Sequence, residues 1–312
     1  MQNYTIVEWL FFFYFYCFVG WVFESTFVSI QHKKLVNRGF MRGPFLPIYG
    51  CGAIMMLVVS MPFQDNIILT YLAGCVGATA LEFVTGVLME SLFKVRYWDY
   101  SNQKFNYKGH ICLSSTIVWG FFTILMTRFL HKIVEGFYST IPAGIVRVVV
   151  IVVSVLIVAD FSLSFKAAIN LCSVLDGLDK AKEEMERIQK RLDVLIAVAN
   201  DSLESTKLTG AGYIETMVNG IESRFSNIKE RLKINPGEFL DERKEEIMEL
   251  REKYLVQKDR RKQFKRLQDF FQRDMIKNNP TMKSTRFADA LEELKKAAAD
   301  RKINNTGRHD NK

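Results

Sequence analysis

Besides Glu8 near the outer end of the first, four carboxylates lie inside apolar stretches long enough to cross a bilayer: Glu24, Glu82, Glu90 and Asp160. An isolated carboxylate in hydrocarbon costs several kcal/mol, so such groups pair, become neutral or line water. Cations stand at Arg38, Arg42, Lys94 and Arg96, and Arg42, Lys94, Arg96 and His110 are expected at one cytoplasmic level as partners. Two kinds of use fit these types. One is a polar cavity for an ion or a substrate head group; the other is a set of ion pairs that only fix helix register. We expect Glu24, Glu82 and Arg42 to form one polar site, with Trp21, Arg38, Tyr49, Glu90, Trp98, Asp99, Asn106, His110 and Asp160 as further candidates. Carboxylates close to His110 could also act as acid, base or metal ligand in an intramembrane enzyme. The chain has four histidines but no HExxH unit, and no catalytic residue, metal or cofactor is assigned.

The elements that must position these groups fall into two halves. Residues 1–164 carry 11 Lys/Arg and 8 Asp/Glu, and residues 165–312 carry 31 and 26. The first half reads as a transmembrane bundle and the second as a cytoplasmic helical, coiled-coil region, an all-α chain throughout. A membrane helix needs about 20 mostly apolar residues. Five stretches approach this, at 5–29, 44–62, 67–91, 111–130 and 141–164. Lys/Arg concentrate in the 31–43 loop, the 92–110 loop and the tail, which predicts five spans with the N-terminus outside and the C-terminus inside the cell membrane. The N-terminus lacks a positive region and a small-residue cleavage site, so it reads as a retained helix. The five cysteines show no CxxC spacing and read as small buried hydrophobes.

A weak internal echo links the first and third spans. Each carries a glutamate (Glu24, Glu82), then a basic loop, then a basic-Gly pair (Arg42-Gly43, Lys108-Gly109). The next span opens with Pro44, Pro47 and Ile48-Tyr49-Gly50, or shows Val118-Trp119-Gly120. Two hairpins in one orientation form a parallel repeat with a site at their interface. The 96–110 loop is rich in aromatics and reads as an interfacial anchor or a lid near Glu82 and Glu90.

These residues resemble a known family. Trp21-x-x-Glu24, the Asn37-Arg38-Gly39-Phe40-x-x-Gly43-Pro44 loop with Pro47-Ile48-Tyr49-Gly50, Glu82, Trp98-Asp99-Tyr100-Ser101 with Phe105-Asn106-x-x-Gly109, and Trp119-Gly120 are similar to the ABC-transporter type IV family of CmpB-type bacterial membrane proteins, labelled ABC transporter permeases. The resemblance covers roughly residues 8–165, and Asn279-Pro280-Thr281-Met282-Lys283-Ser284 is similar to C-terminal segments of such proteins. It implies transport. Gly43, Pro44, Pro47, Gly50, Gly109 and Gly120 are then structural positions of the motif.

The chain holds no G-x-x-x-x-G-K-[ST] phosphate loop, so an ATP-driven transporter needs a separate ATP-binding subunit. In the tail, residues 165–199 carry a heptad-like stripe through Leu171, Leu178, Met185 and Leu192, which predicts a helix that pairs with itself, a partner or a second copy of the chain. A second helix is expected at 213–233, a third from Pro236 to about Lys277 and a fourth at 284–301. Interleaved charges make the tail a solvated surface, with no nucleic acid expected despite the formal charge of +8. The lipid bilayer is the remaining partner. A coiled arm on a membrane bundle also fits a signalling or scaffold protein, which stays open beside transport.

Overall fold

The computed structural model describes residues 4–204, 238–266 and 270–306. It is almost wholly helical. The first helix, α1 (Ile6–His32), starts at a capping box in which the Thr5 hydroxyl accepts from Glu8 N at 3.4 Å and the Glu8 carboxylate accepts from Thr5 N at 2.6 Å. These bonds satisfy two of the donors a helix start leaves open. Lys33, left-handed at φ 50°, stops the helix. The next helix, α2 (Pro47–Ser60), opens on a proline, whose missing N–H is no loss at that position. A 3-10 turn at Met61–Phe63 leads into α3 (Ile67–Phe93), capped by Asn66. A short antiparallel ribbon, β1 (Asn106–Tyr107) with β2 (Ile111–Cys112), precedes α4 (Leu113–Leu125). A π-helical segment at Met126–Leu130 joins α4 to α5 (His131–Ser139). One unbroken helix, α6 (Ala143–Glu204), follows.

Four segments are long and apolar enough to cross a membrane: Ile6–His32, Ile67–Phe93, Leu113–Ser139 and a stretch of α6. The chain is a multi-pass membrane protein in architecture. At most 28% of each such window is buried against protein. Phe23, Phe27, Val76, Phe121, Ile151 and Val155 all stand exposed, a surface that water would penalise and lipid tails would not. The expected second span differs. Its helix α2 has only 14 residues, about 21 Å, which is short of a crossing. The reason is the loop before it. Val36 N donates to Ser29 Oγ, Arg38 N to Ser25 Oγ and Leu46 N to Cys17 O. Residues 34–46 therefore run back along α1, and part of the distance is covered by irregular chain before α2 begins.

The bundle interior is built from Phe12 and Tyr16 of α1, Ala53, Met56 and Leu57 of α2, Ala78 of α3, Met126, and Val134 of α5. The compact unit containing it comprises residues 1–173 and 268–312, so the C-terminal segment groups with the bundle, where the sequence suggested a boundary at 164/165 and a single tail. That segment holds α8 (Phe270–Asn278) and α9 (Ala288–Thr306).

The second unit, 174–267, pairs α6 with α7 (Glu238–Arg266) in antiparallel fashion. Ile188 and Leu192 pack on Leu250 and Tyr254, and Arg191 bonds Glu246 at 2.6 Å. Gly177 lies against the Phe264 ring. Between Met185 and Leu192 the expected apolar stripe packs on this chain's own α7. The helix expected at 213–233 lies outside the described residues, and α7 and α8 fall within the expected third helix, with α9 in the place of the fourth.

Candidate functional site

Glu24 and Glu82 sit on equivalent positions of two similar hairpins. Gly50 of α2 lies so close to α1 that an added Cβ would stand 2.4 Å from Cys17 Sγ and 2.8 Å from the Phe13 ring. Gly120 of α4 lies as close to α3, 2.5 Å from Cys75 Sγ and 2.5 Å from the Tyr71 ring. Cys17 and Phe13 precede Glu24 by seven and eleven residues, and Cys75 and Tyr71 precede Glu82 by the same intervals. The aromatic just before each glycine reaches that glutamate. Tyr49 OH donates to Glu24 Oε2 at 2.8 Å, and Trp119 Nε1 donates to Glu82 Oε2 at 3.1 Å. The echo in the sequence is thus a matched pair of helix contacts, each closing on a carboxylate.

Each node is completed by the loop that runs back along its helix. At the first, Arg38 Nε stands 3.6 Å from Glu24 Oε1. The guanidinium also donates to Asn279 Oδ1 and Thr281 Oγ1, both at 2.9 Å, and to Tyr97 O at 3.1 Å. Burial lowers the Arg38 pKa and the Glu24 carboxylate pulls it back up; a guanidinium stays charged regardless. Trp21 Nε1 donates to Asn37 Oδ1 at 2.6 Å, and Asn37 Nδ2 donates to Arg42 O at 2.6 Å, which shapes the loop. At the second node, Glu82 is 7% exposed and accepts from Tyr100 OH at 2.9 Å and Ser115 Oγ at 3.3 Å. Burial, then the Glu82 carboxylate, push the Tyr100 hydroxyl pKa up, and Tyr49 of the first node adds to it.

Further along α3, the Glu90 carboxylate stands 2.8 Å from Arg96 Nε and 3.1 Å from His110 Nε2, and it accepts from Thr285 Oγ1 at 2.8 Å. Burial and the Arg96 charge lower the His110 pKa against the pull of Glu90, which favours a neutral imidazole at pH 7. Trp98 Nε1 donates to His110 O at 3.0 Å, and its ring lies by Gly86. Asp99 accepts from Lys283 Nζ at 2.8 Å and from Ser101 N at 3.0 Å. Burial alone would raise the Asp99 pKa, but these bonds outweigh it and hold it at about 2. Asn106 donates to Ser101 O and Gln103 O and accepts from Gly109 N, so it shapes the loop. Gly109 adopts φ +73° against Ser101 and Asp99, where a side chain would be both strained and crowded.

Two expected site members are placed elsewhere. Arg42 turns to Asp274 at 4.0 Å instead of joining Glu24 and Glu82; Arg38 holds the position beside Glu24. Asp160 accepts from Gly43 N at 2.8 Å, so it anchors the turn at Gly43-Pro44. Tyr100, Ser115, Asn279 and Thr281 complete the nodes, Thr285 reaches Glu90, and none of the five was expected to do so. Trp119, quoted only as a motif residue, is a direct ligand of Glu82. Asn279, fully buried, also donates to Gly39 O at 3.0 Å and Met275 O at 2.9 Å. Nothing in a polar tail segment announces a contact 241 residues away. Among the described residues no group of three or more His, Cys, Asp or Glu is arranged to hold a metal.

No curated protein and no solved structure is matched by the chain. A family model described as "Putative ABC-transporter type IV" matches residues 11–165, the stretch that contains both hairpins, both returning loops and both glutamates. Through residues 11–165, its membrane-spanning part, the chain is thus similar to the ABC-transporter type IV family.

Proposed function

We propose that this protein is the membrane-spanning component of a transporter, and that the Glu24–Arg38–Tyr49 and Glu82–Tyr100–Trp119 nodes together form its polar substrate site. One observation carries this reading. Two similar hairpins each return by irregular chain along a membrane-length helix, and each returning loop contributes a ligand, Arg38 or Tyr100, to a carboxylate on that helix. Non-helical backbone at membrane depth leaves peptide groups that lipid cannot satisfy, so it is kept where it lines a cavity or binds a solute. Mere register pairs would not need it.

The orientation that suits the basic loops puts the N-terminus outside, the C-terminal region in the cytoplasm and the site on the cytoplasmic side. Energy comes from a separate ATP-binding subunit, because this chain has no phosphate loop of its own. The helical pair at 174–267 is the natural dock for it. A second copy of the chain would pair elsewhere than at Met185–Leu192, where α7 already packs.

The test is isolation of the tagged full chain from its own membranes in mild detergent, followed by an ATP hydrolysis assay on the isolated fraction. A transporter component brings vanadate-sensitive hydrolysis with it. A fraction with intact chain and no hydrolysis above an untagged control contradicts the reading.

A further inference from the structure

A cavity of about 700 Å³ opens at the C-terminal end of α3. The last turns of α3, the 96–110 loop and Thr285-Arg286 bound it. Its charge is one-sided. Lys94, Arg96, Lys108 and Arg286 line it, and Glu90 is the one carboxylate among its lining residues. Glu90 is already bonded to Arg96 at 2.8 Å, so its charge is compensated within the protein. Lys94 gives one hydrogen bond to Ser91 O, at 2.6 Å, and an ammonium has three donors. Both lysines sit in left-handed backbone, at φ 57° and 52°, a conformation uncommon for a side chain of this kind. Asparagine would sit there more comfortably.

We propose that this cavity binds a phosphate-bearing anion, with Lys94 and Lys108 as its main electrostatic contacts. Two lysines beyond the Arg96–Glu90 pair match a phosphate ester, which can carry more than one negative charge, better than a lone carboxylate. The cavity also lies where α3 ends, the level of lipid head groups on a spanning helix. Val87 lines its wall, and Val84 and Leu88 continue an exposed apolar flank along α3 on which an acyl chain can lie. The phosphate can therefore come from a lipid head group or from a soluble ester. This binding is separate from the Glu24 and Glu82 nodes and does not depend on ATP hydrolysis.

The experiment uses the full chain in phosphatidylcholine nanodiscs. In one arm phosphatidylglycerol is titrated in and retained lipid is counted by native mass spectrometry. In the other, inorganic phosphate and glycerol phosphate are titrated calorimetrically into discs of phosphatidylcholine alone. A Lys94→Asn/Lys108→Asn double variant tests the contacts, and Lys132→Asn in α5 serves as control. Wild type binds at least one probe, the double variant binds it roughly 30-fold more weakly, and the control is unchanged. Lipid retention without soluble binding assigns a head group; binding of the soluble probes assigns the phosphate itself. Absence of binding in both arms, or equal binding by the double variant with an unchanged melting curve, overturns the proposal. If the double variant melts early, Lys94→Arg/Lys108→Arg decides: it must bind as wild type does.

Discussion

Arg38 draws together more of the chain than any other side chain in the candidate site. It meets Glu24 on α1, the Tyr97 carbonyl in the loop after α3, and Asn279 and Thr281 near the C-terminus. Removing it takes the cation from a partly exposed Glu24, which keeps its Tyr49 bond, and three donated hydrogen bonds from Asn279, Thr281 and Tyr97. A hydrogen bond from a charged group contributes about 1.5–3 kcal/mol. Arg38→Ala should therefore lower the melting midpoint in detergent clearly, and Arg38→Lys should recover only part, because an ammonium cannot reproduce the planar fork. An Arg38→Ala protein that melts with wild type would refute this role. Asp99 makes a pH prediction. Its folded pKa of about 2 lies below its ordinary value of 3.8. The unfolded chain then takes up the proton first as pH falls, so the stability from the Lys283 and Ser101 bonds is full above about pH 4 and fades toward pH 2. Lys283→Met should flatten this acid limb of the melting midpoint against pH; an unaltered limb would deny the pair its part in it.

At the scale of elements, close helix contact at glycine sets the geometry of both hairpins. A Cβ at Gly50 would overlap Cys17, whereas a Cβ at Gly52, one residue further along the same helix than Cys51, meets nothing within 4 Å. Gly50→Ala should cost about 1–3 kcal/mol by overpacking, and Gly120→Ala the same by the same overlap on α3. Gly52→Ala should be neutral, or slightly favourable as a helix former. Equal melting of the Gly50 and Gly52 variants would show that the contact does not matter. The sequence made the hairpins legible because Glu24 and Glu82, Tyr49-Gly50 and Trp119-Gly120 repeat in type and order. It placed the 96–110 loop near Glu82 as one of two readings, but it did not disclose the first returning loop, at 34–46. Apolar content at 44–62 looks alike whether the chain is helix or extended, and the side-chain bonds from Ser25 and Ser29 that hold the loop to α1 have no periodic signature. The same blindness explains Arg42: two arginines four residues apart were equally placed to meet Glu24, and only the turn at Gly43, held by Asp160, decides which one does.

At the scale of the whole molecule, the C-terminal segment closes the basic-loop end of the bundle unit. Asn279 bonds the Arg38 loop, Lys283 pairs by backbone with Arg96 at 2.7 and 2.9 Å, and Ser284 Oγ donates to Lys94 O at 2.6 Å. Met282 and Phe287 are buried beside these bonds. Asn279→Ala removes one acceptor and two donated bonds at once, so limited proteolysis should release the 279–306 segment several-fold faster than in wild type. Unchanged cleavage would show that the segment is held by its apolar contacts alone. The segment thus ties the Arg38 loop to Glu90 at the end of α3.

That single site is the central claim, and a double-mutant cycle on ATP hydrolysis by the isolated complex tests it most directly. Glu24→Gln and Glu82→Gln keep the shape and remove the charge. If the nodes act as one site, each substitution lowers hydrolysis about tenfold or more and the double variant falls little further, the mark of coupled groups. Single variants that leave hydrolysis unchanged, or losses that simply multiply in the double variant, would contradict it.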